Sequence, residues 1–343
     1  MNVLIVGVGS IGERHLRCFG ATGRATLSLC ELNPALREQV AARYGVAALL
    51  CDAHGAERRG YSIAAFADYE QALAAKPQVV VICTPANLHI AMAARAVEAG
   101  AHVFIEKPLS TKPDGIAELD AAVKQRGLIA GVAYVYRAHP ALAAMRAALR
   151  SGRFGAPVQF VATCGQHFPL YRPAYRDIYY KDRATGGGAV QDALTHVMNA
   201  AEWLVGPVTA LAADFDHKVL EGVTVEDTVH VITRHGAVMG NFSLNQHQAP
   251  NETSLTVICE RGTARFEVHQ NRWRWQTQPG GDWTDEPGAP MERDTWFTCQ
   301  AHAFLDAVEG KAPVLCTIDE AAATLRVNLA ILAAAEQRRW ITP

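Results

Sequence analysis

Over the first 135 residues, short continuous apolar runs alternate with stretches whose apolar positions recur at helical spacing. The runs at 3–6, 26–29 (reaching Glu31), 79–83, 102–106 and 128–134 predict strands. The stretches at 10–19, 34–44, 88–99 and 114–126 predict helices, with Gly20, Gly100 and Gly127 as stop signals and Pro34 in a first turn. A strand without polar alternation has to be covered on both faces, so this half reads as a parallel sheet with helices above and below. Between Gly45 and Asp68 the pattern blurs, and the polar CDAHGAERRGYS reads as a surface excursion.

After Tyr136 the rhythm changes. A helix is predicted over 140–150, a strand over 156–166, an aromatic and basic loop over 166–188 and a helix over 190–204. From Val208 to about Thr277, strand runs are parted by turn signals such as Arg234-His235-Gly236 and Glu260-Arg261-Gly262. Two apolar helices near 295–309 and 318–337 end the sequence. A length of 343 residues exceeds what one core usually serves. Two domains are therefore expected: α/β over 1–135, and α+β with a mostly antiparallel open sheet over 136–343, the latter for substrate binding and oligomerisation.

The first strand runs directly into Gly7-Val8-Gly9-Ser10-Ile11-Gly12, where a helix pattern opens. Gly7 permits the tight turn, Gly9 lets the backbone approach a pyrophosphate, and Gly12 allows close helix–strand packing. The free N–H groups around Ser10 and Ile11 and the positive helix end then meet the phosphates. Glu31 lies nineteen residues after Gly12, at the end of the next strand, where its carboxylate can accept ribose hydroxyls. It would repel a 2′-phosphate, and Leu32, Asn33 and Pro34 offer no basic partner, so NAD is expected over NADP. This is the signature of a doubly wound Rossmann domain.

Three further stretches carry chemistry. HVFIEKP ends an apolar strand on Glu106 and Lys107, a costly place for an amine unless it serves a reacting group. CTPANLH (83–89) ends the fourth strand, where open α/β sheets bind ligands. GGGAVQDALTH (186–196) sets Asp192 and His196 at i and i+4, a carboxylate and an imidazole on one helix face. In this order, after GVGSIG, the stretches resemble the Gfo/Idh/MocA oxidoreductases, named for glucose–fructose oxidoreductase and inositol dehydrogenase, along nearly the whole chain.

The resemblance implies Lys107 beside the nicotinamide, Asp192 and His196 as acid and base, Thr84, Pro85, Asn87 and His89 along the cofactor cleft, and Glu106 near the nicotinamide ribose or carboxamide. It also implies hydride transfer between a secondary alcohol of a sugar, sugar acid or cyclitol and nicotinamide. A reductase of an imine or tetrapyrrole-like substrate and a non-catalytic dinucleotide-binding regulator are the alternatives. One departure is Asn199, where many relatives carry an acid three residues after the histidine.

For the substrate, the loop residues Tyr171, Arg172 and Tyr175 offer aromatic faces and donors suited to a polyhydroxylated ring, and suited equally to a subunit interface. Arg137, just past the last strand of the first half, is expected at the interdomain cleft, as a substrate contact or as a hinge salt bridge. A formal charge of −2 gives no reason for a nucleic-acid or membrane partner, and no apolar run approaches a membrane span. The apolar N-terminus lacks a basic leader and is not read as a signal peptide. Eight cysteines without a C-x-x-C pair argue against a metal knuckle and for a reducing compartment, the cytoplasm. No metal is expected. A homodimer or homotetramer is expected through the second domain's sheet.

Overall fold

The computed structural model describes residues 1–47, 63–286, 288 and 291–343; the stretch CDAHGAERRGYS lies outside the described residues. The first sheet contains β1 (Asn2–Val6), β2 (Thr26–Cys30), β3 (Ala64–Phe66), β4 (Val79–Ile82), β5 (His102–Ile105) and β6 (Ala130–Val132). All pairs are parallel, in the order β3-β2-β1-β4-β5-β6. The order reverses between β1 and β4, which opens a crevice at the carboxyl ends of those strands. Val79 through Ile82 are fully buried because helices cover both faces, the reason for a run with no polar alternation.

The second sheet contains β7 (Pro157–Gly165), β8 (Ala210–Asp216), β9 (Thr228–His235), β10 (Val238–Asn245), β11 (Glu252–Cys259), β12 (Gly262–Glu267), β13 (Arg272–Gln276) and β14 (Thr284–Glu286). Its order is β14-β13-β12-β11-β7-β10-β9-β8, antiparallel except where β7 and β10 run parallel. Burial alternates along β9, so Val229 and Val231 join Phe242 and Leu244 in packing against Leu194, Val197 and Met198. The opposite face exposes Ile232 and Met239.

The chain then crosses back, which the expected division at residue 135 does not capture. Helix Arg293–Val308 sets Ala301, Phe304 and Leu305 against Val3, Ile5 and Phe104 of the first sheet. Helix Ile318–Gln337 opens on a capping box between Thr317 and Glu320. Its first half packs Ile318, Ala321 and Leu325 on the first domain, and its second half packs Val327, Ile331 and Ala334 on the second. One amphipathic element thus joins both cores beneath the cleft. β3 and the helix Tyr69–Ala74, capped by the Asp68 side chain, were absent from the expected elements because both are too short to show a period.

Candidate active site

The glycine turn at the end of β1 is built by close approach. Gly7 has φ +79°, and its N–H donates to the Cys30 carbonyl at 2.9 Å. A Cβ on Gly12 would lie 1.8 Å from the Gly7 carbonyl oxygen, so the helix Ser10–Ala21 can start there only with glycine. Above Gly9 there is open space. Glu31 sits at the rim: its Oε2 accepts from Val8 N at 3.0 Å and its Oε1 from Asn33 N at 2.9 Å. Arg37, the nearest cation in sequence, donates to the Glu31 main-chain carbonyl at 2.8 Å. Across the crevice, Thr84 Oγ1 is buried without a hydrogen-bond partner among the described residues. A turn with room at Gly9, an unpartnered hydroxyl and a carboxylate at the next strand end fit a dinucleotide.

Pro85 and Asn87 are exposed on the rim beside Thr84, whereas His89 is buried. Its ring nitrogens lie 2.8 Å from the Thr84 carbonyl and 3.0 Å from the Pro108 carbonyl, and burial pushes its pKa down. The expected cleft contact of His89 is therefore corrected: the imidazole ties β4 to the turn after β5. Glu106 also faces inward. Its Oε1 lies 2.6 Å from His15 Nε2 and its Oε2 accepts from Lys107 N at 3.0 Å, so both oxygens are engaged inside the first domain.

Lys107 points the other way, across the cleft. Its Nζ donates to the main-chain oxygen of Asp192 at 2.8 Å and lies 3.2 Å from Asp192 Oδ1. Asp192 is held in a π-helical turn, Val190–Leu194, that leads into helix Thr195–Val205. π-turns recur at functional sites, and nothing in the apolar period distinguishes one from an α-helical start. Glu226 anchors this turn by accepting from Val190 N at 3.0 Å through Oε1 and from Ala189 N at 3.0 Å through its carbonyl. The preceding glycines press on the aromatic loop: a Cβ on Gly187 would lie 2.2 Å from the Tyr180 carbonyl oxygen.

That contact brings Tyr179 to the carboxylate, where its hydroxyl donates to Asp192 Oδ1 at 2.6 Å. Arg172 Nη1 lies 3.7 Å from Asp192 Oδ2, and Oδ2 has no hydrogen-bond partner among the described residues. Burial would push the Asp192 pKa up, but Lys107 and Arg172 outweigh it, aided by the hydrogen bonds from Tyr179 and Lys107. The carboxyl is held below the usual range. Burial and the Asp192 charge push the Tyr179 phenol well above its ordinary value. His196, half-buried four residues after Asp192, sets its ring 6.1 Å from Tyr134 and 5.5 Å from Tyr136, centroid to centroid.

Two expected substrate contacts are turned away. Arg137 is buried and donates to Asn199 Oδ1 at 2.8 Å, to the Leu315 carbonyl at 2.9 Å and to Glu320 Oε1 at 2.6 Å. It is a structural ion pair at the base of the cleft. Tyr175 is buried against Phe168 and Tyr180, and its hydroxyl donates to the Glu221 carbonyl at 2.7 Å. Tyr171 is exposed. Tyr179 was not singled out from its loop neighbours by any spacing, and the His15–Glu106 pair joins residues 91 apart in sequence.

Beneath the site, Glu202 accepts from Thr324 Oγ1 at 2.6 Å. Burial outweighs that bond and the Arg137 charge, and the carboxyl is pushed up from 4.5 to about 7. A carboxyl raised in the folded state binds its proton there but not in the unfolded chain between those values. Stability therefore falls as pH rises through that window, by about 3 kcal/mol in all. Glu202→Gln is expected to raise the thermal midpoint above wild type at about pH 8 and to leave it nearly unchanged at about pH 4.5. Equal midpoints at the higher pH would contradict this.

Residues 1–134 match the profile described as the oxidoreductase family with an NAD-binding Rossmann fold, and residues 142–265 match the Gfo/Idh/MocA C-terminal domain. The chain belongs to the Gfo/Idh/MocA oxidoreductase family. Levoglucosan dehydrogenase of Pseudarthrobacter phenanthrenivorans is 28% identical over 222 residues, 62% of this chain, and the matched stretch spans 53% of that relative's length. Inositol 2-dehydrogenase of Rhizobium meliloti is 25% identical over 346 residues, covering 98% of this chain and 97% of the relative. Among solved structures, levoglucosan dehydrogenase in complex with NADH and levoglucosan superposes with a TM-score of 0.86 at 21% identity, over 100% of this chain and 99% of that one. At this identity the structural likeness is one of fold. No helix among the described residues is long and apolar enough to cross a membrane.

Proposed function

We propose that this family member is an NAD-dependent dehydrogenase acting on a secondary alcohol of a sugar, sugar acid or cyclitol. The observation that carries the reading is the meeting of Lys107 Nζ from one domain with Asp192 Oδ1 from the other, at 3.2 Å, four residues before His196. This meeting lies across the crevice from a glycine turn suited to a dinucleotide. The names of relatives acting on levoglucosan and inositol support the substrate class.

Gly7, Gly9, Ser10, Ile11 and Gly12 would hold the pyrophosphate, Glu31 the adenosine ribose, and Thr84, Pro85 and Asn87 the cleft rim. Bound NAD supplies the hydride acceptor. On the substrate, the carbinol C–H bond breaks with its electron pair leaving as hydride, the O–H bond breaks with its proton passing to the His196 imidazole, and the carbon–oxygen bond becomes double. Lys107 stabilises the negative charge that builds on that oxygen, in a cleft where its side chain is only 10% exposed. Asp192 orients the ammonium and keeps Oδ2 for a neighbouring substrate hydroxyl, with Arg172 and Tyr171 at the outer edge.

Incubation with a panel of polyols, sugars and sugar acids, followed by nicotinamide absorbance, tests the reading. Reduction of NAD by at least one of them is expected, faster than that of NADP, because Glu31 opposes a 2′-phosphate and Arg37 is committed to main chain. Tight NADH binding without turnover of any of them would favour a dinucleotide-binding regulator instead. The reading extends to a cytoplasmic homodimer or homotetramer paired through the sheet face that exposes Ile232 and Met239; a monomeric mass by light scattering would remove that extension.

A further inference from the structure

The first domain contains a buried charged group that the hydride-transfer scheme does not use. We propose that His15 and Glu106 form a positioning pair for Lys107, holding the lysine's peptide in place from the helix that follows the glycine turn. The proposal rests on Lys107 being the amine that serves the reacting oxygen.

The case begins where the strand ladder stops. Glu106 N donates to Ile82 O at 2.9 Å, the last rung toward β4, and Ala133 N donates to Ile105 O at 2.8 Å, the last rung toward β6. Lys107 N lies beyond both rungs. Its hydrogen-bond partner is Glu106 Oε2 at 3.0 Å, so the glutamate side chain folds back and replaces the missing strand. The other oxygen, Oε1, lies 2.6 Å from His15 Nε2 in helix Ser10–Ala21. A carboxylate only accepts, which assigns the hydrogen to Nε2.

Neither partner has room to swing. The two side chains are 1% and 6% exposed, and the His15 ring is surrounded by Phe19, Phe104 and Phe297 at centroid distances of 6.3, 5.7 and 5.8 Å. Burial pushes the Glu106 pKa up, but the His15 bond and the nearby charges of His15 and Lys107 outweigh it, so the carboxylate stays ionised. On the far side, His89 Nδ1 holds the Pro108 carbonyl at 3.0 Å. The peptide before Lys107 is thus held by the Glu106 side chain, and the Pro108–Leu109 peptide one step beyond it lies against His89, which leaves mainly the lysine's own rotors to aim Nζ at Asp192. Without the carboxylate, the Lys107 N–H has no partner and its peptide can rotate, which swings the base of the side chain.

Glu106→Ala is expected to lower kcat by about 10²-fold, with the alcohol KM and the NADH Kd each within about threefold of wild type. Glu106→Gln keeps a carbonyl oxygen for Lys107 N and is expected to restore kcat to within about fivefold. His15→Phe fills the aromatic cage but leaves Oε1 unheld, and is expected to lower kcat about tenfold at unchanged KM. It decides the matter should Glu106→Ala fail to fold, as judged by thermal unfolding. Wild-type kcat in His15→Phe, or a glutamine variant as slow as the alanine one, overturns the pairing. Lys107→Ala measured alongside separates the two readings. If it turns over normally, the role of Lys107 falls; if it is inactive while Glu106→Ala is not, only the positioning proposal falls.

Discussion

Lys107→Ala is expected to lower kcat for alcohol oxidation by about 10³-fold while the NADH Kd stays within about threefold. The ammonium crosses the cleft to Asp192, away from the glycine turn, so its loss leaves the pyrophosphate and ribose contacts in place. What disappears is a positive charge aimed where the scheme has charge develop, on a side chain that is itself largely buried. The loss belongs in kcat because the charge on the carbinol oxygen exists only as hydride leaves. Asp192 would also lose its closest cation and keep Arg172 at 3.7 Å, so Lys107→Arg is a poor rescue: a guanidinium there cannot deliver a compact charge to one oxygen. Stopped-flow measurement of nicotinamide reduction checks this directly. Turnover within about threefold of wild type would take Lys107 out of the chemistry.

The parts of this site that could be read from the residues are those whose chemistry is local in sequence. The glycine turn, Glu31 at the next strand end and Lys107 at the end of β5 each follow from an apolar run and what interrupts it. The parallel character of one sheet and the mostly antiparallel character of the other follow from unbroken runs in one half and turn-parted runs in the other, whereas the strand orders do not. What could not be read depends on partners far along the chain. Arg137 looks like a cleft residue by position, but Asn199, 62 residues later, and Glu320, 183 residues later, claim its guanidinium. Among the loop tyrosines, no spacing separates Tyr175, which bonds Glu221, from Tyr179, which reaches Asp192; the packing of Gly187 on the Tyr179–Tyr180 carbonyls decides between them. The same holds for the helix Arg293–Val308, whose apolar positions do not say which sheet they cover; the fold sets them on the first.

His196→Ala is expected to lower kcat/KM for oxidation by about 10²- to 10⁴-fold and to remove the acid-side limb of its pH profile. Two neighbouring oxygens compete for the role of base, and the electrostatics disqualify both. Asp192 is buried, which favours its neutral form, yet Lys107 and Arg172 with the Tyr179 hydroxyl hold it ionised far below neutrality. A carboxylate so stabilised cannot take a proton near neutral pH. Tyr179 is pushed the opposite way by burial and by Asp192, so its phenol keeps its proton throughout the working range and acts only as a donor. An imidazole is the side-chain type whose ordinary range spans neutral pH, so the scheme assigns the proton to His196. In the reverse direction the imidazolium returns that proton to the carbonyl oxygen, so the variant should slow reduction as well. An acid-side limb that survives in His196→Ala would show that another group takes the proton. Asp192→Asn then tells which: with the Lys107 partner changed but the shape kept, it would abolish the limb only if the carboxylate itself were the base.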